Sequence, residues 1–293
     1  MADASLTEVK LLSVVATAAL SVALVGAPGP ISVAQPSPAA APAPAAVAPK
    51  LASIWNFRDV AGTGVPLSGG ATMATGVVYR SGQLKGITAD DAATLVVLGI
   101  GDIYDLRSRS AARKSPDPVI SGIAYSRIDV FSGHSKSYKG RTAAGARAYM
   151  RAMNRAFVTD SAQRSKIAKV LTAIAGASGP VLIHCAAGKD RTGWVSAMLQ
   201  TIAGAGRKAI VGQYVLSNTY RKALIETRVA AARRTSARKA AIVGEQERLR
   251  PSYLEAGLDK AAARYGSLSR YLTKGLKLPA ATIALLRAKL RQA

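Results

Sequence analysis

The sequence has few cysteine, histidine and aromatic residues, and each shortage excludes a class of protein. Its 293 residues contain one cysteine and two histidines, and aromatic residues make up 5% of them. A lone cysteine forms no disulfide within the chain, so this is not a disulfide-stapled domain. Two histidines without a cluster of further ligands do not indicate a metal site, and we expect no metal and no other cofactor. With so few rings for base stacking, we also expect no nucleic-acid partner.

Acidic residues are scarce too, with 16 Asp and Glu against 40 Lys and Arg and a formal net charge of +24 at pH 7. Such a surface attracts anions, including acidic lipid headgroups and phosphorylated molecules. Hydrophobic residues make up 49% of the chain and charged residues 19%, which is typical of a globular protein with a sizeable core.

The first fifty residues differ from the rest. Residues 11–27 form an apolar run that is too short for a membrane-spanning helix, and small residues at Ser32 and Ala34 fit a signal-peptidase site. We therefore predict a signal peptide at 1–34 and a Pro/Ala-rich linker at 35–50, with an uncleaved anchor as the alternative. The expected location is secreted or cell-envelope, and residues 51–293 form one domain.

Strands and helices alternate after residue 51. Short apolar strands are predicted at 77–79, 103–106, 123–128 and 181–183, and helices at 88–99, 166–177 and 192–203. The last 80 residues look wholly helical, with Pro251 opening one helix and Gly266 closing it. The pattern predicts an α/β fold with a mainly parallel central sheet flanked by helices and a helical C-terminal part.

The single cysteine lies in the sequence IHCAAGKDRTG, residues 183–193. Cys185 follows a predicted buried strand, and the next helix starts about seven residues later. The backbone N–H groups of such a connection converge with the helix N-terminus to form an anion site, which also lowers the pKa of a thiol. Arg191 adds a planar fork that binds two phosphoryl oxygens, and Gly188 tolerates a positive φ.

Three other interpretations of this sequence were weighed. A nucleotide-binding phosphate loop needs glycine where Ile183 stands and serine or threonine where Asp190 stands, so it is excluded. A sulfurtransferase also carries a cysteine between a strand and a helix, but it leaves the run from Lys189 to Thr192 unexplained. A buried, unreactive cysteine is common in proteins but explains none of the surrounding residues.

The string His-Cys-x-x-Gly-Lys-Asp-Arg-Thr-Gly resembles the signature of cysteine-dependent protein and lipid phosphatases. Further motifs extend the resemblance to the bacterial tyrosine phosphatase family of the secreted mycobacterial PtpB type, over residues 54 to 290. These motifs are NFRDVAG (56–62), YRSG (79–82), DLRS (105–108), PDP (116–118), YLEA (253–256) and RYGS (264–267). The resemblance implies a cysteine-phosphatase fold over residues 51–293.

The resemblance also implies roles for the residues of the loop. Cys185 is expected to be the nucleophile, Arg191 to bind phosphate, and Asp190 to be the general acid, with Asp59, Asp105 and Asp117 as alternative acids. His184 is expected to orient the loop through ring hydrogen bonds. The phosphate-binding residues would be Ala186, Ala187, Gly188, Lys189, Thr192 and Gly193.

The function expected from these residues is hydrolysis of phosphotyrosine in proteins through a phosphocysteine intermediate. Phosphoserine and phosphothreonine are further candidate substrates. Phosphoinositides are candidates as well, because Lys189 adds a cation beyond what one phosphate requires; a solvated lysine is the alternative. Two basic stripes favour an anionic membrane surface as a partner: Arg147, Arg151 and Arg155, and the segment 221–239. The rival hypothesis is a non-catalytic secreted protein that binds polyanions or anionic membranes.

Overall fold

A five-stranded sheet lies at the centre of the fold. The structure is a computed structural model that describes residues 48–132 and 138–292. The predicted signal peptide and residues 35–47 of the predicted linker lie outside the described residues.

The sheet has the order β1-β3-β6-β4-β5, in which the last four strands are parallel and β1 pairs antiparallel with β3. A separate antiparallel pair joins β2 to β7. The strands are β1 (Arg58–Asp59), β2 (Thr72–Met73), β3 (Val78–Ser81), β4 (Asp102–Asp105), β5 (Ala124–Arg127), β6 (Val181–His184) and β7 (Arg291–Gln292). Because β6 is in the middle and its apolar residues are buried, its carboxyl end opens at the centre of the sheet edge.

Helices surround the sheet and form most of the second half of the chain. They are α1 (Ala89–Val97), α2 (Arg109–Lys114), α3 (Ala143–Thr159), α4 (Ser161–Gly176), α5 (Asp190–Ala203), α6 (Arg207–Val215), α7 (Ser217–Tyr220), α8 (Lys222–Arg233), α9 (Ala237–Glu247), α10 (Pro251–Tyr265), α11 (Leu268–Arg270) and α12 (Ala280–Leu290). A π-helical turn spans Tyr271–Gly275. Within residues 48–132 and 138–292, no helix has both the length and the apolar character needed to cross a membrane.

The α/β fold with a mainly parallel sheet and a helical C-terminal part is confirmed, as are the predicted ends of two helices. The Thr88 side chain accepts a hydrogen bond from the Asp91 N–H at the start of α1. Pro251 is the first residue of α10, and Gly266 ends it with a φ of 87°.

Two sequence predictions are wrong in detail, and one basic segment is partly buried. The helix expected from Lys166 begins at Ser161, because the Asp160 carboxylate caps it by accepting from two backbone N–H groups. The wholly helical tail is interrupted at Arg291, which begins β7. The basic segment 221–239 is divided between α8 and α9, and Arg221 is buried in an ion pair with Glu247 at 2.6 Å.

The core is organised around Trp194 on α5, which is fully buried. Its ring lies 5.5 Å from that of Phe157 on α3 and 6.0 Å from that of Tyr271, measured between centroids. Gly257 on α10 allows this packing, because a Cβ there would overlap the Trp194 ring and lie 2.8 Å from the Asn154 carbonyl oxygen. The close approach of α10 to α3 therefore depends on a glycine.

We expect Gly257→Ala to lower the free energy of unfolding by about 1–3 kcal/mol, because the added methyl group overpacks the core. The matched control is Gly212→Ala in α6, where a Cβ meets nothing within 4 Å. That change should leave stability unaltered or raise it by up to about 1 kcal/mol. Urea unfolding measures both, and equal effects of the two substitutions would contradict this view of the α10 contact.

Candidate active site

The residues singled out around Cys185 come together in one short loop, called here the cysteine loop (residues 185–191). It leaves the end of β6 and runs into the first turn of α5. Cys185 and Thr192 are buried, Ala186 is exposed, and Arg191 is half-buried. The loop opens at the carboxyl edge of the parallel strands, where α/β proteins bind ligands.

Three successive carbonyl groups of the loop accept hydrogen bonds from outside it. The Gly188 carbonyl accepts from Asn56 Nδ2 at 2.7 Å and from an Arg80 guanidinium nitrogen at 2.7 Å. The Ala187 carbonyl accepts from Asn56 Nδ2 at 3.3 Å, and the Ala186 carbonyl accepts from the Gln83 N–H at 3.3 Å. In a trans peptide the N–H points opposite to the C=O, so the N–H groups that follow these carbonyls face the other side of the loop.

Gly188 is required by this geometry. Its φ is 63°, in the left-handed region, as the sequence predicted. A Cβ at this position would collide with the Ser81 carbonyl oxygen and would lie 2.7 Å from the Gly82 nitrogen. The loop therefore packs backbone against backbone on the end of β3.

The Cys185 thiol is acidified by its neighbours. Burial by itself raises the pKa of the thiol, but the charge of Arg191 and hydrogen bonding from Thr192 outweigh it, and the net pKa is below its usual value. Arg191 is held in place by a hydrogen bond to the Leu106 carbonyl at 3.3 Å and by the Phe131 ring, whose centroid lies 4.5 Å from its guanidinium carbon. A thiolate beside a fixed arginine is suited to attack on an anionic phosphoryl group.

Arg80 is a second buried cation beneath the loop that the sequence analysis did not single out. Burial lowers its pKa to about 10, against the opposing effect of Cys185, so it carries its charge at neutral pH. Its position follows from β3, which ends beside the cysteine loop. The motif YRSG carried the signal, but no sequence pattern shows where the side chain points.

Asn56 links the loop to the motif NFRD and was also missed. It has a φ of 64°, a strained conformation that asparagine tolerates better than most residues. Arg58 donates to Asn56 Oδ1, which leaves the amide nitrogen facing the cysteine loop. Arg58 is itself buried, donating to Ser217 Oγ at 3.0 Å and lying over the Tyr220 ring.

The family model for the tyrosine phosphatase family matches residues 49–292. This chain belongs to that family. It is 35% identical over 196 residues to the triple specificity protein phosphatase PtpB of Mycobacterium tuberculosis, covering 58% of this chain and 68% of that protein. A protein of Cupriavidus necator named as a tyrosine-protein phosphatase is 29% identical over 238 residues, 79% of this chain and 85% of that one. Pseudomonas aeruginosa TpbA bound to pTyr covers 60% of this chain and 90% of its own at 15% identity, with a TM-score of 0.29, too low to support any inference.

The four carboxylates considered as the acid of this tyrosine phosphatase differ in their surroundings. Asp190 lies at the start of α5, where Tyr214 donates to its Oδ1 at 3.5 Å and Lys189 Nζ is 3.3 Å from its Oδ2. Asp59 accepts from the backbone N–H groups of Ala61 and Gly76, and burial raises its pKa to about 6. The other two belong to an ion-pair network with Arg107, described next.

Arg107 binds both remaining carboxylates, Asp105 at 2.8 Å and Asp117. Burial raises the pKa of Asp105, but its bonds to Arg107 outweigh this and the net pKa is lowered, whereas burial leaves the pKa of Asp117 raised. His184 Nε2 is 3.3 Å from Asp117 Oδ2, and burial lowers the pKa of the ring. The ring thus faces these acids, while the backbone carbonyl of His184 accepts from the Leu106 N–H at 2.8 Å.

Asp105, Asp117 and His184 are close enough together to share a metal ion, although the sequence gave no reason to expect a metal site. The Arg107 guanidinium already contacts both carboxylates and supplies the positive charge that a cation would bring. The donor set therefore fits a buried ion-pair network better than a metal centre.

Several of the lysine and arginine residues that were expected to add positive charge around the site contact carbonyl groups or lie beside acidic side chains. Lys189 is 6% exposed, so the solvated alternative is wrong, and its ammonium donates to the Gln246 carbonyl of α9. Arg147 pairs with Glu245 at 2.9 Å. Arg151 and Arg155 line a cleft against α10 that also contains two acidic side chains, Glu255 and Asp259.

We expect Arg191→Ala to raise the pKa of the Cys185 thiol, because it removes the largest effect that lowers this pKa. The pH dependence of iodoacetamide alkylation measures this directly, since the chain has one cysteine and every adduct reports on it. Arg151→Ala is the control, because Arg151 lies on a different helix, α3, in the cleft against α10. An unchanged alkylation profile in Arg191→Ala would contradict the pairing of the two residues.

Proposed function

We propose that the protein hydrolyses phosphotyrosine in proteins through a phosphocysteine intermediate on Cys185. The observation that carries this is the cysteine loop, in which Arg191, fixed by the Phe131 ring, acts on a buried thiol whose pKa is lowered. Membership of the tyrosine phosphatase family supports the same chemistry. The rival hypothesis of a non-catalytic polyanion binder is not favoured, because it needs none of these features.

In the first step the Cys185 thiolate attacks phosphorus and the bond from phosphorus to the tyrosine oxygen breaks. The Arg191 guanidinium and the loop N–H groups bind the non-bridging oxygens, whose charge shifts in the transition state. Asp190 donates its proton to the leaving oxygen, so that tyrosine departs as a neutral phenol. The products of this step are phosphocysteine and the Asp190 carboxylate.

In the second step water attacks the phosphocysteine and the phosphorus–sulfur bond breaks. Asp190 now takes a proton from the water, and inorganic phosphate leaves. Thr192 supports this step, since hydrogen bonding from it stabilises the sulfur as a thiolate. The enzyme returns to its starting state with the thiolate and the protonated acid restored.

Asp190 is the best candidate for the acid because it belongs to the cysteine loop itself, whereas the three alternatives lie outside it. Asp59 is tied to two backbone N–H groups, and Asp105 and Asp117 are bound to Arg107. Asp190 is close enough to the thiol for its charge to act on the Cys185 pKa.

We infer phosphotyrosine as the main substrate rather than phosphoinositides. The buried Lys189 ammonium contacts Gln246 and Asp190, so it is not free for a second phosphate. We further propose activity on phosphoserine, phosphothreonine and lipid phosphates and contact with anionic membranes, which the net charge of +24 favours. Secretion or attachment to the cell envelope is a separate proposal, and it rests on the apolar N-terminal run.

We expect Cys185→Ser to reduce phosphotyrosine hydrolysis to the background of the buffer, because a serine hydroxyl is not ionised at working pH. The variant should still bind a phosphotyrosine peptide and unfold at the same urea concentration as the wild type. Residual turnover near the wild-type rate would refute the phosphocysteine intermediate. Transfer of sulfur from thiosulfate to cyanide by the wild type would instead indicate a sulfurtransferase.

We expect Asp190→Asn to lower kcat on phosphotyrosine by about 10²-fold or more, in line with the usual contribution of a general acid. An activated aryl phosphate such as p-nitrophenyl phosphate needs little leaving-group protonation and should lose far less. The control is Asp259→Asn on the exposed side of α10. If Asp190→Asn turns over phosphotyrosine at an undiminished rate, the acid is another residue.

A further inference from the structure

A groove of about 820 Å³ lies beside the cysteine loop. Residues 48–57, which precede and include the start of the motif NFRD, form one wall, and residues 219–226 of α7 and α8 form the other. Apart from Asn56, none of its lining residues has a role assigned above in binding or hydrolysing phosphate.

The groove adjoins the outer side of the cysteine loop through two residues of its lining, Trp55 and Asn56. Asn56 lines it, and the same side chain donates to the Gly188 carbonyl at 2.7 Å. The Trp55 carbonyl accepts from the Gly82 N–H at 2.8 Å, and a Cβ on Gly82 would lie 3.5 Å from the Ala186 carbonyl oxygen. One wall therefore touches the outer backbone of the loop that carries the thiol.

The lining combines apolar surface with positive charge. Leu51, Ile54 and Phe57 are buried and form an apolar base, whereas the Trp55 and Tyr220 side chains are 46% and 42% exposed. Large aromatic surface left open in this way marks binding sites more often than ordinary protein surface. The charged lining residues are Lys50, Lys222 and Glu226, which leave a net positive charge.

We propose that this groove binds the residues that flank phosphotyrosine in a protein substrate. An apolar side chain next to the phosphotyrosine would pack on Trp55, and an acidic one would pair with Lys50 or Lys222. A groove lined by two separate segments of the chain suits an extended peptide, which advances about 3.3 Å per residue. The proposal rests on the proposed phosphatase function and adds a sequence preference to it.

The test uses the full chain and three substrates: a phosphotyrosine peptide with apolar and acidic flanks, the same peptide with glycine and lysine flanks, and p-nitrophenyl phosphate. The wild type should prefer the first peptide over the second. Lys222→Glu should lower its kcat/KM about fivefold, mainly through KM, as expected for reversal of an exposed charge near a bound acid. Lys114→Glu, an exposed lysine at the end of α2, is the matched control and should have no such effect.

Trp55→Ala tests the apolar contact separately. It should lower kcat/KM for the apolar-acidic peptide about tenfold and change turnover of p-nitrophenyl phosphate less than twofold, since that substrate is too small to enter the groove. Tyr220 is left intact because its ring lies 4.9 Å from the Arg58 guanidinium carbon, and its loss would disturb Asn56 as well.

Several results would overturn the proposal. Equal losses on the peptide and on p-nitrophenyl phosphate would mean that the substitutions act on the catalytic loop. With phosphoinositide vesicles as a fourth substrate, a loss confined to the vesicles would assign the groove to a lipid headgroup. A gain in peptide turnover would mean that a segment of this chain fills the groove. If the wild type hydrolyses p-nitrophenyl phosphate and Cys185→Ser does not, any of these results refutes the groove alone and leaves the proposed function standing.

Discussion

The site depends on the hydrogen bonds that hold the carbonyl groups of the cysteine loop away from the thiol. A loop of this length left to itself would point some carbonyl oxygens at the sulfur and repel both a thiolate and a phosphate. Asn56 and Arg80 prevent this by binding the Gly188 carbonyl from outside. The N–H groups are thereby committed to the inner side, and the cost of arranging them is met during folding rather than when a ligand binds.

This constraint explains why residues far apart in the sequence are needed for one short loop. Asn56 precedes β1, Arg80 lies in β3, and Arg191 begins α5, yet all three converge because β3 and β6 are neighbours in the sheet. Two of the three are fixed by a further contact: Arg58 orients the Asn56 amide, and Phe131 and the Leu106 carbonyl hold Arg191. The chemistry is confined to a few residues, but their arrangement is a property of the sheet.

The fold class and the members of the loop could be predicted from the sequence because they depend on local patterns. These patterns lie within a few residues of the structure that they determine. They are the apolar run before Cys185, the Thr88 cap, and the helix ends at Pro251 and Gly266. Side-chain direction is not local: nothing in the sequence shows that Lys189 turns to Gln246, that Arg221 is buried, or that the His184 ring faces Asp105 and Asp117. The start of α4 was placed too late because the apolar spacing used to predict the helix begins after its first turn, whereas the helix itself begins where Asp160 caps it.

The aromatic contacts behind Arg191 reach well beyond the site. Phe131 supports the guanidinium on one face and stacks on Phe157 with the centroids 5.9 Å apart, and Phe157 in turn packs on Trp194 in the centre of the core. The half-buried Arg191 side chain thus lies at the outer end of a column of rings that also holds α3 against α5. Because protein interiors are close-packed, the position of the Arg191 guanidinium is consequently set by the packing of the hydrophobic interior as well as by its own contacts.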